Sequence, residues 1–391
     1  MSRKIFYENQ YQKECISAIN SISTVEDKIL VVLEDSIFYP EGGGQPCDLG
    51  LIDDARIIKV FEKDGIIYNQ LSSEPKNSNV NCKVDFERRY DFMQQHTGEH
   101  LLSAAFLKKF NGVNKGFHLG DEYTTIDIDL SDITNEMEEE VEFEANSYIF
   151  RNIPVDSYFV NRNQAETLPL RSNIKVNDDL IRIVNIEGID MCACCGTHLK
   201  HTGEVGMIKI IKIEHHKGMS RVYFKCGNRA LKDYRRKNDI ITSLIKITAS
   251  EENKLNDKFI SQNNKIIELT KKLNICKKKA AQTEADKLLM FTDEIIYKEY
   301  ENIDFEELQM ISEEVTKKNK CFIGVSEQDK KITAAHNGYS EIDFGTMFKN
   351  HIKEYSGKGG GDSKKAQGTF NNIDELKKFS DLVIKKATGI L

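Results

Sequence analysis

His96-Thr97-Gly98-Glu99-His100 sets two imidazoles four residues apart inside a longer run, 85–110. The apolar members of that run, Phe92, Met93, Leu101, Leu102, Ala105 and Phe106, recur at helical spacing. Four residues is about one helical turn, so both rings share a face with Cβ atoms about 5–6 Å apart. On either side of this helix the period changes. Short apolar runs at 29–33, 51–60 and 65–71 alternate with Gly, Asp, Asn and Ser, which predicts the hairpins of a small β-barrel over 1–85. Beyond the helix, 124–130, 157–160, 180–186, 204–213 and 221–226 read as strands and 135–151 as a second helix. Helices packed on antiparallel strands over 86–235 give α+β as the fold class.

The remaining third divides in two. Residues 236–290 contain no Gly or Pro. From Ile241 a 4-3 spacing runs through Ile245, Thr248, Glu252, Leu255, Phe259, Gln262, Ile266, Leu269, Leu273 and Cys276; eight of these eleven are apolar. That predicts one long helix with a coiled-coil-like seam, serving either an antiparallel hairpin or a dimer. Residues 291–391 read as a small α/β domain: a helix over 305–318 capped by Asp304, strands at 321–325 and 331–335, and a closing helix over 374–386. Between them lies a glycine- and lysine-rich loop, 356–368.

Composition narrows the function classes. With 391 residues, 39% hydrophobic and 30% charged, 5 Pro and no Trp, the chain has material for several cores and is neither disordered nor collagen-like. No apolar run approaches the roughly 18 residues a membrane helix needs. The start, MSRKIFYENQYQKE, lacks the apolar core of a secretion signal, so a cytoplasmic protein is expected. Its nine cysteines are then reduced thiols, some of them available to a metal. A formal net charge of −7 does not advertise a nucleic-acid partner, so any such contact must come from local basic patches.

Two such distant stretches supply donors for one ion. Cys192-Ala193-Cys194-Cys195-Gly196-Thr197-His198 offers thiols and a third imidazole, and with His96 and His100 this makes the four nitrogen and sulfur ligands that zinc prefers. Spacing alone leaves open which of Cys192, Cys194 and Cys195 coordinates, and whether the ion is structural or catalytic. A metalloprotease helix needs Glu directly after its first His; here Thr97 stands there. Glu99 is either a general base, a partner of a ligand, or a solvated helix residue.

Phe38-Tyr39-Pro40-Glu41-Gly42-Gly43-Gly44-Gln45, the His96/His100 pair, and Cys194-Cys195-Gly196-Thr197-His198 occur in that order. Together with Gly116-Phe117-His118-Leu119-Gly120, Asp127, Ile181–Val184, Thr202–Gly206 and Arg221–Phe224, they resemble the editing domain of alanyl-tRNA synthetases and its free-standing relatives, the AlaX proteins. The stretch 355–368 resembles the glycine-lysine loop of the DHH-associated domain that ends those synthetases, so the likeness covers essentially the whole chain.

The resemblance implies a β-barrel-like domain (1–85), a zinc-containing editing domain of the threonyl/alanyl-tRNA synthetase additional-domain type (86–235), a helical linker (236–290) and a DHH-associated α/β domain (291–391). It implies hydrolysis of mischarged tRNA(Ala), mainly seryl-tRNA(Ala) and also glycyl-tRNA(Ala). No aminoacylation core precedes the barrel, so action in trans is expected. Carried over residue by residue, one Zn2+ is held by His96, His100, Cys194 and His198. The family's first glycine after the ligand cysteine is replaced here by Cys195, which puts a further thiol beside the site.

Glu99, His118 and Thr125 are the candidate catalytic residues, and Thr97, Thr124 and Thr125 the candidate partners of a serine hydroxyl. Lys358, Gly359, Gly360, Lys364 and Lys365 are the candidate tRNA contacts. The clusters at 232–237 and 277–279 read as solvated helix faces, and Gly42–Gly44 as architecture. A homodimer through the linker or the terminal domain is expected. Two other readings compete: a non-catalytic tRNA-binding protein with a structural zinc, and a DHH-type phosphoesterase, which the absence of an Asp-His-His triplet disfavours.

Overall fold

The computed structural model describes residues 2–174, 178–338 and 340–389, which include every candidate residue named above. The chain forms two compact units, Met1–Ser243 and Leu244–Leu391.

The first unit begins with six strands whose pairing closes on itself in the order Glu14–Val25, Lys28–Leu33, Ile66–Leu71, Ala55–Lys63, Gly50–Ile52, Asn79–Val84. Strand pleating puts alternate residues on opposite faces, and Val80, Cys82 and Val84 accordingly fill the interior while their neighbours stay exposed. The expected strand over 51–60 is in fact two. The chain reverses at Asp53 (φ 48°), so Ile52 and Ala55 pair across a tight turn hidden inside an apolar run. Glu14–Val25 escaped the sequence reading because Ser, Asn and Thr dilute its apolar pattern.

The central helix, Phe86–Phe110, starts where Asp85 accepts a hydrogen bond from the backbone of Arg88 (3.2 Å) and stops at left-handed Asn111. Sixteen of its 25 residues are buried, polar ones among them, so it is a core helix without a solvent stripe. It packs on a four-stranded antiparallel sheet ordered Ile208–His216, Met219–Cys226, Thr124–Ile128, Asn114–Leu119. Its other neighbours are the helix Asn135–Phe150 and a three-stranded sheet, Val155–Asn161, Leu180–Ile186, Asp190–Ala193. Gly98 permits the approach: a Cβ there would lie 2.2 Å from Cys226 Sγ. Arg89 ties the helix to the barrel through a fully buried ion pair with Asp48, and it also donates to the Gln10 and Ile37 carbonyls. Such a pair needs further hydrogen bonds to offset desolvation, and the two carbonyls supply them.

The second unit has a five-stranded sheet ordered Ile295–Tyr300, Cys321–Ser326, Lys331–Ala335, Lys365–Thr369, Lys358–Gly361, with only the first pair parallel. The helices Phe305–Thr316, Phe344–His351 and Ile373–Ala387 pack on it. Asp304 caps the first of them, accepting from Glu307 N–H at 2.8 Å. Two expectations are corrected here. The single helix with a continuous seam is broken: Gly227–Thr248 ends at Ala249 (φ 48°), and Leu255–Leu288 begins anew after one 3-10 turn. Thr248 Oγ1 bonds the Leu244 carbonyl (2.7 Å) and Ser250 Oγ (2.9 Å), a local alternative to continuing the helix. The glycine-lysine stretch is not a loop but a hairpin of two sheet strands, its turn tied by Asp362 Oδ1, which accepts from the backbone N–H groups of Lys364 (2.8 Å) and Lys365 (2.9 Å). Among the described residues no helix is long and apolar enough to cross a membrane.

Candidate metal centre

His96 and His100 project from adjacent turns of the central helix, and the segment after Asp190–Ala193 brings Cys194 and His198 over them. The ligand atoms of these four residues all lie within 4.8 Å of one another. Cys194 Sγ is 3.4 Å from His96 Nε2 and 3.3 Å from His198 Nε2. Zinc bonds of about 2.0–2.1 Å to nitrogen and 2.3 Å to sulfur place tetrahedral neighbours about 3.5 Å apart, so the donor set fits that ion in type, number and spacing.

What surrounds the four donors strengthens the fit. Each imidazole has its Nδ1 turned to a protein oxygen, which leaves Nε2 for the shared centre. His96 donates Nδ1–H to Gln45 Oε1 (2.8 Å), His100 donates to Asp190 Oδ2 (2.8 Å), and His198 Nδ1 lies 3.3 Å from Thr97 Oγ1. Burial pushes the His198 imidazole down to about 3, which keeps it neutral as a ligand must be. Burial opposes ionisation of Cys194, yet the His96 and His198 rings overcome that cost and hold its thiol well below the usual value. The Gly196 N–H also points at this sulfur (3.4 Å). Asp190 is itself buried; His100 and Arg171, the latter 2.7 Å away, keep it ionised.

The three thiols separate cleanly. Cys192 Sγ lies beside the ring of His100, 3.6 Å from the Nδ1 already given to Asp190, and burial pushes its thiol up. Cys195 turns away, its Sγ 4.0 Å from Tyr39 Oη and its carbonyl accepting from Tyr7 Oη (2.7 Å). Cys194 alone joins all three imidazoles in one group. Arg182 fixes the segment by donating to the carbonyls of Cys194 (2.9 Å) and Gly196 (2.8 Å).

Gln45 is the residue the sequence reading missed. Gly42 and Gln45 pair across a tight turn in which Gly43 (φ 58°) and Gly44 (φ 82°) both take left-handed angles. The turn delivers the Gln45 amide to the site, where Oε1 accepts from His96 and from Thr197 N–H (3.1 Å) while Nε2 donates to Thr197 Oγ1 (2.9 Å). A Cβ on Gly43 would stand 2.7 Å from Cys195 Sγ, so the glycines also allow the cysteine segment to close on the barrel. Replacing Gln45 with Ala is expected to weaken metal binding by about 10–100-fold, the usual cost of losing an orienting partner. Competition titration against a chromogenic chelator checks this.

The other candidates fall differently. Glu99 is buried, not solvated: Oε1 accepts from Ser103 Oγ (2.7 Å) and Asn114 Nδ2 (2.8 Å), and Oε2 lies 3.7 Å from His100 Nε2. Thr97 has its hydroxyl engaged, accepting also from Leu199 N–H (3.1 Å). His118 and Thr125 are opposite one another on paired strands, and the pleat turns both away from the face that carries Leu119, Thr124, Ile126 and Phe117. Phe117, between them and the cluster in sequence, is the residue whose ring meets His96 (4.9 Å). The structure therefore does not bring His118 or Thr125 to the four donors. Thr124, fully buried, has a hydroxyl without a hydrogen-bond partner among the described residues.

The chain is also similar to known proteins. Residues 181–223 match the family described as the threonyl and alanyl tRNA synthetase second additional domain. The alanyl-tRNA editing protein AlaX-L of Pyrococcus horikoshii is 32% identical over 385 residues, covering 94% of each chain. An alanine–tRNA ligase of Methanobrevibacter smithii is 29% identical over 97% of this chain but only 45% of its own length. The alanyl-tRNA editing protein Aarsd1 of Rattus norvegicus is 35% identical over 56% of this chain and 55% of its own. The chain thus spans about half the length of the last two.

Proposed function

This chain belongs to the alanyl-tRNA editing proteins, and from that membership we propose that it hydrolyses, in trans, the ester bond of tRNA(Ala) carrying a wrong amino acid. The observation that carries this reading is the set of three buried imidazoles and one partly buried thiol, each with its own partner. A zinc ion held there would act as a Lewis acid toward an already activated ester. The protein's own residues do the rest: Gln45, Asp190 and Thr97 orient the three rings, and Arg182 and Gly196 N–H position the sulfur. Glu99, beside His100, is a candidate acceptor for a proton released in hydrolysis, its orientation set by Ser103 and Asn114. His118 and Thr125 have no part in this proposal.

Serine is the proposed main substrate side chain and glycine a second. A site that hydrogen-bonds a hydroxyl leaves polar groups unpaired when alanine enters, and so spares the correct product. The unpartnered Thr124 hydroxyl supports this. Thr124→Val is expected to cut the preference for seryl- over alanyl-tRNA(Ala) about 10-fold, the worth of one hydrogen bond of about 1.4 kcal/mol. The test is ester release from seryl-, glycyl- and alanyl-tRNA(Ala), with and without chelator. Equal rates on seryl- and alanyl-tRNA(Ala) would refute the selectivity, and indifference to chelator would refute the metal.

For the second unit we propose tRNA contact through Lys358, Lys364 and Lys365, with Gly359 and Gly360 keeping the edge strand free of side chains. Gly359 also has a packing reason, since a Cβ would meet the Gln367 carbonyl at 2.1 Å, whereas Gly360 faces open space. Changing the three lysines to Ala is expected to flatten the slope of log affinity against log salt by about 2. An unchanged slope would remove these residues from the interface. The exposed Phe259, Ile266, Leu269 and Leu273 support the further proposal of a homodimer, which sedimentation of the full chain would test. The finer division at 85, 235 and 290 is likewise retained as a proposal.

A further inference from the structure

We propose that Cys15 and Cys82 are an oxidisable dithiol that locks the seam of the barrel. The two cysteines sit on Glu14–Val25 and Asn79–Val84, the pair of strands that completes the ring, and they are direct partners in its antiparallel register. The hydrogen bond from Val84 N–H to the Lys13 carbonyl (2.9 Å) pins that register next to them. Directly opposed residues have Cα atoms about 4.5–5.5 Å apart and side chains on the same face, inside the window of about 4.4–6.8 Å that a disulfide needs. Here that face is the interior: Cys82 is buried between Val80 and Val84, and Cys15 packs against the same core. Both thiols are free.

The pair is also asymmetric in the way stepwise oxidation requires. Cys15 is partly exposed and Cys82 fully buried, so a reagent meets Cys15 first. Contact with the Cys82 thiol holds Cys15 below the ordinary thiol value, while Cys82, as donor and by burial, is held above it. A lower value means more thiolate, the form that attacks. The Cys15 sulfur attacks one oxygen of a hydroperoxide, the O–O bond breaks, and the alcohol (water, for hydrogen peroxide) leaves as Cys15 becomes a sulfenic acid. Cys82 then gives up its proton, its sulfur attacks Cys15 Sγ, and the S–O bond breaks with loss of water. The balance is two thiols and one hydroperoxide giving one disulfide, one alcohol and one water.

The consequence falls on the part of the chain that braces the metal centre. Barrel and amino-terminal residues Gln45, Tyr7 and Tyr11 hold His96, the Cys195 carbonyl and Glu204, respectively. Cross-linking residues 67 apart removes freedom from the unfolded chain, and a rise of several degrees in unfolding temperature is expected.

The test uses full-length protein treated with hydrogen peroxide, alkylated and mapped by mass spectrometry. The expected product is a Cys15–Cys82 linked peptide pair, two hydrogens lighter, that dithiothreitol separates. Cys82→Ser should instead accumulate a dimedone-reactive sulfenic acid at Cys15. Should that buried substitution prevent folding, Cys15→Ser at the partly exposed position serves instead, and there Cys82 should stay reduced. Recovery of Cys15 and Cys82 both alkylated while exposed Cys276 is oxidised, or linkage of Cys15 to a different cysteine, would overturn the proposal.

Discussion

Cys194→Ala is expected to abolish both metal retention and ester release from seryl-tRNA(Ala) while leaving tRNA binding intact. Structural zinc sites of four ligands are worth about 10–16 kcal/mol, so one ligand accounts for about 3–4 kcal/mol, or roughly 10³-fold in affinity. The loss of activity should be of the same order, because several kcal/mol of barrier lowering leave with the ion. His96→Ala should behave alike. Cys195→Ala is the internal control: its sulfur faces Tyr39 and the glycine turn, so that variant should keep its metal. Elemental analysis of the purified variants, with single-turnover deacylation and filter binding, separates the outcomes. A Cys194→Ala protein that still hydrolyses the ester at the parental rate would show that the cluster is not the catalytic centre. Wild-type protein that binds tRNA and releases no ester would favour a non-catalytic RNA-binding protein with a structural ion.

Gly196→Ala is the second large effect, and it arises from packing alone. A Cβ at this position would lie 2.0 Å from His96 Cε1 and 2.2 Å from its Nδ1, with Gln45 Oε1 at 2.9 Å. One methyl group therefore cannot be added without driving His96 off both its orienting partner and the shared centre. Overpacking of this kind costs about 1–3 kcal/mol of stability. The functional cost is larger, since a displaced ligand resembles a deleted one and should again lower activity by about 10³-fold. Gly360→Ala, where nothing lies within 4 Å, should leave stability unchanged. Thermal unfolding and zinc content measured together decide the matter. A Gly196→Ala protein with normal zinc would mean that the segment can shift at little cost.

Much of this site was legible before any coordinates because its periods are local. Two histidines four apart must share a helix face, and a Cys/His pair nearly a hundred residues later offers the rest of a set that could hold a metal. What was not legible depended on pleat and turn. Three cysteines in four residues differ in direction only once the strand Asp190–Ala193 and the bend after it are known, and that bend sends Cys194 inward and Cys195 toward Gly43. His118 and Thr125 looked close to the pocket in sequence, but alternation along their strands puts Phe117 and Thr124 on the inner face instead. The helix break at Ala249 was invisible because Thr248 and Ser250 act through side-chain hydrogen bonds that a 4-3 apolar count ignores.

The shared helix face of His96 and His100, the 192–198 segment as the other source of donors and the likeness to an editing domain follow from the amino-acid string, since each rests on spacing within one element or on the residues of a motif. The partners of those donors do not. Gln45 is 51 residues from His96 and Asp190 is 90 from His100, and each pair meets where the central helix packs between barrel and sheets, a fully buried Arg89–Asp48 ion pair and the close approach at Gly98 helping to seat it. Proximity between residues so far apart in the chain has no local signature; it is set when the helix buries both faces at once, and only the folded molecule records it.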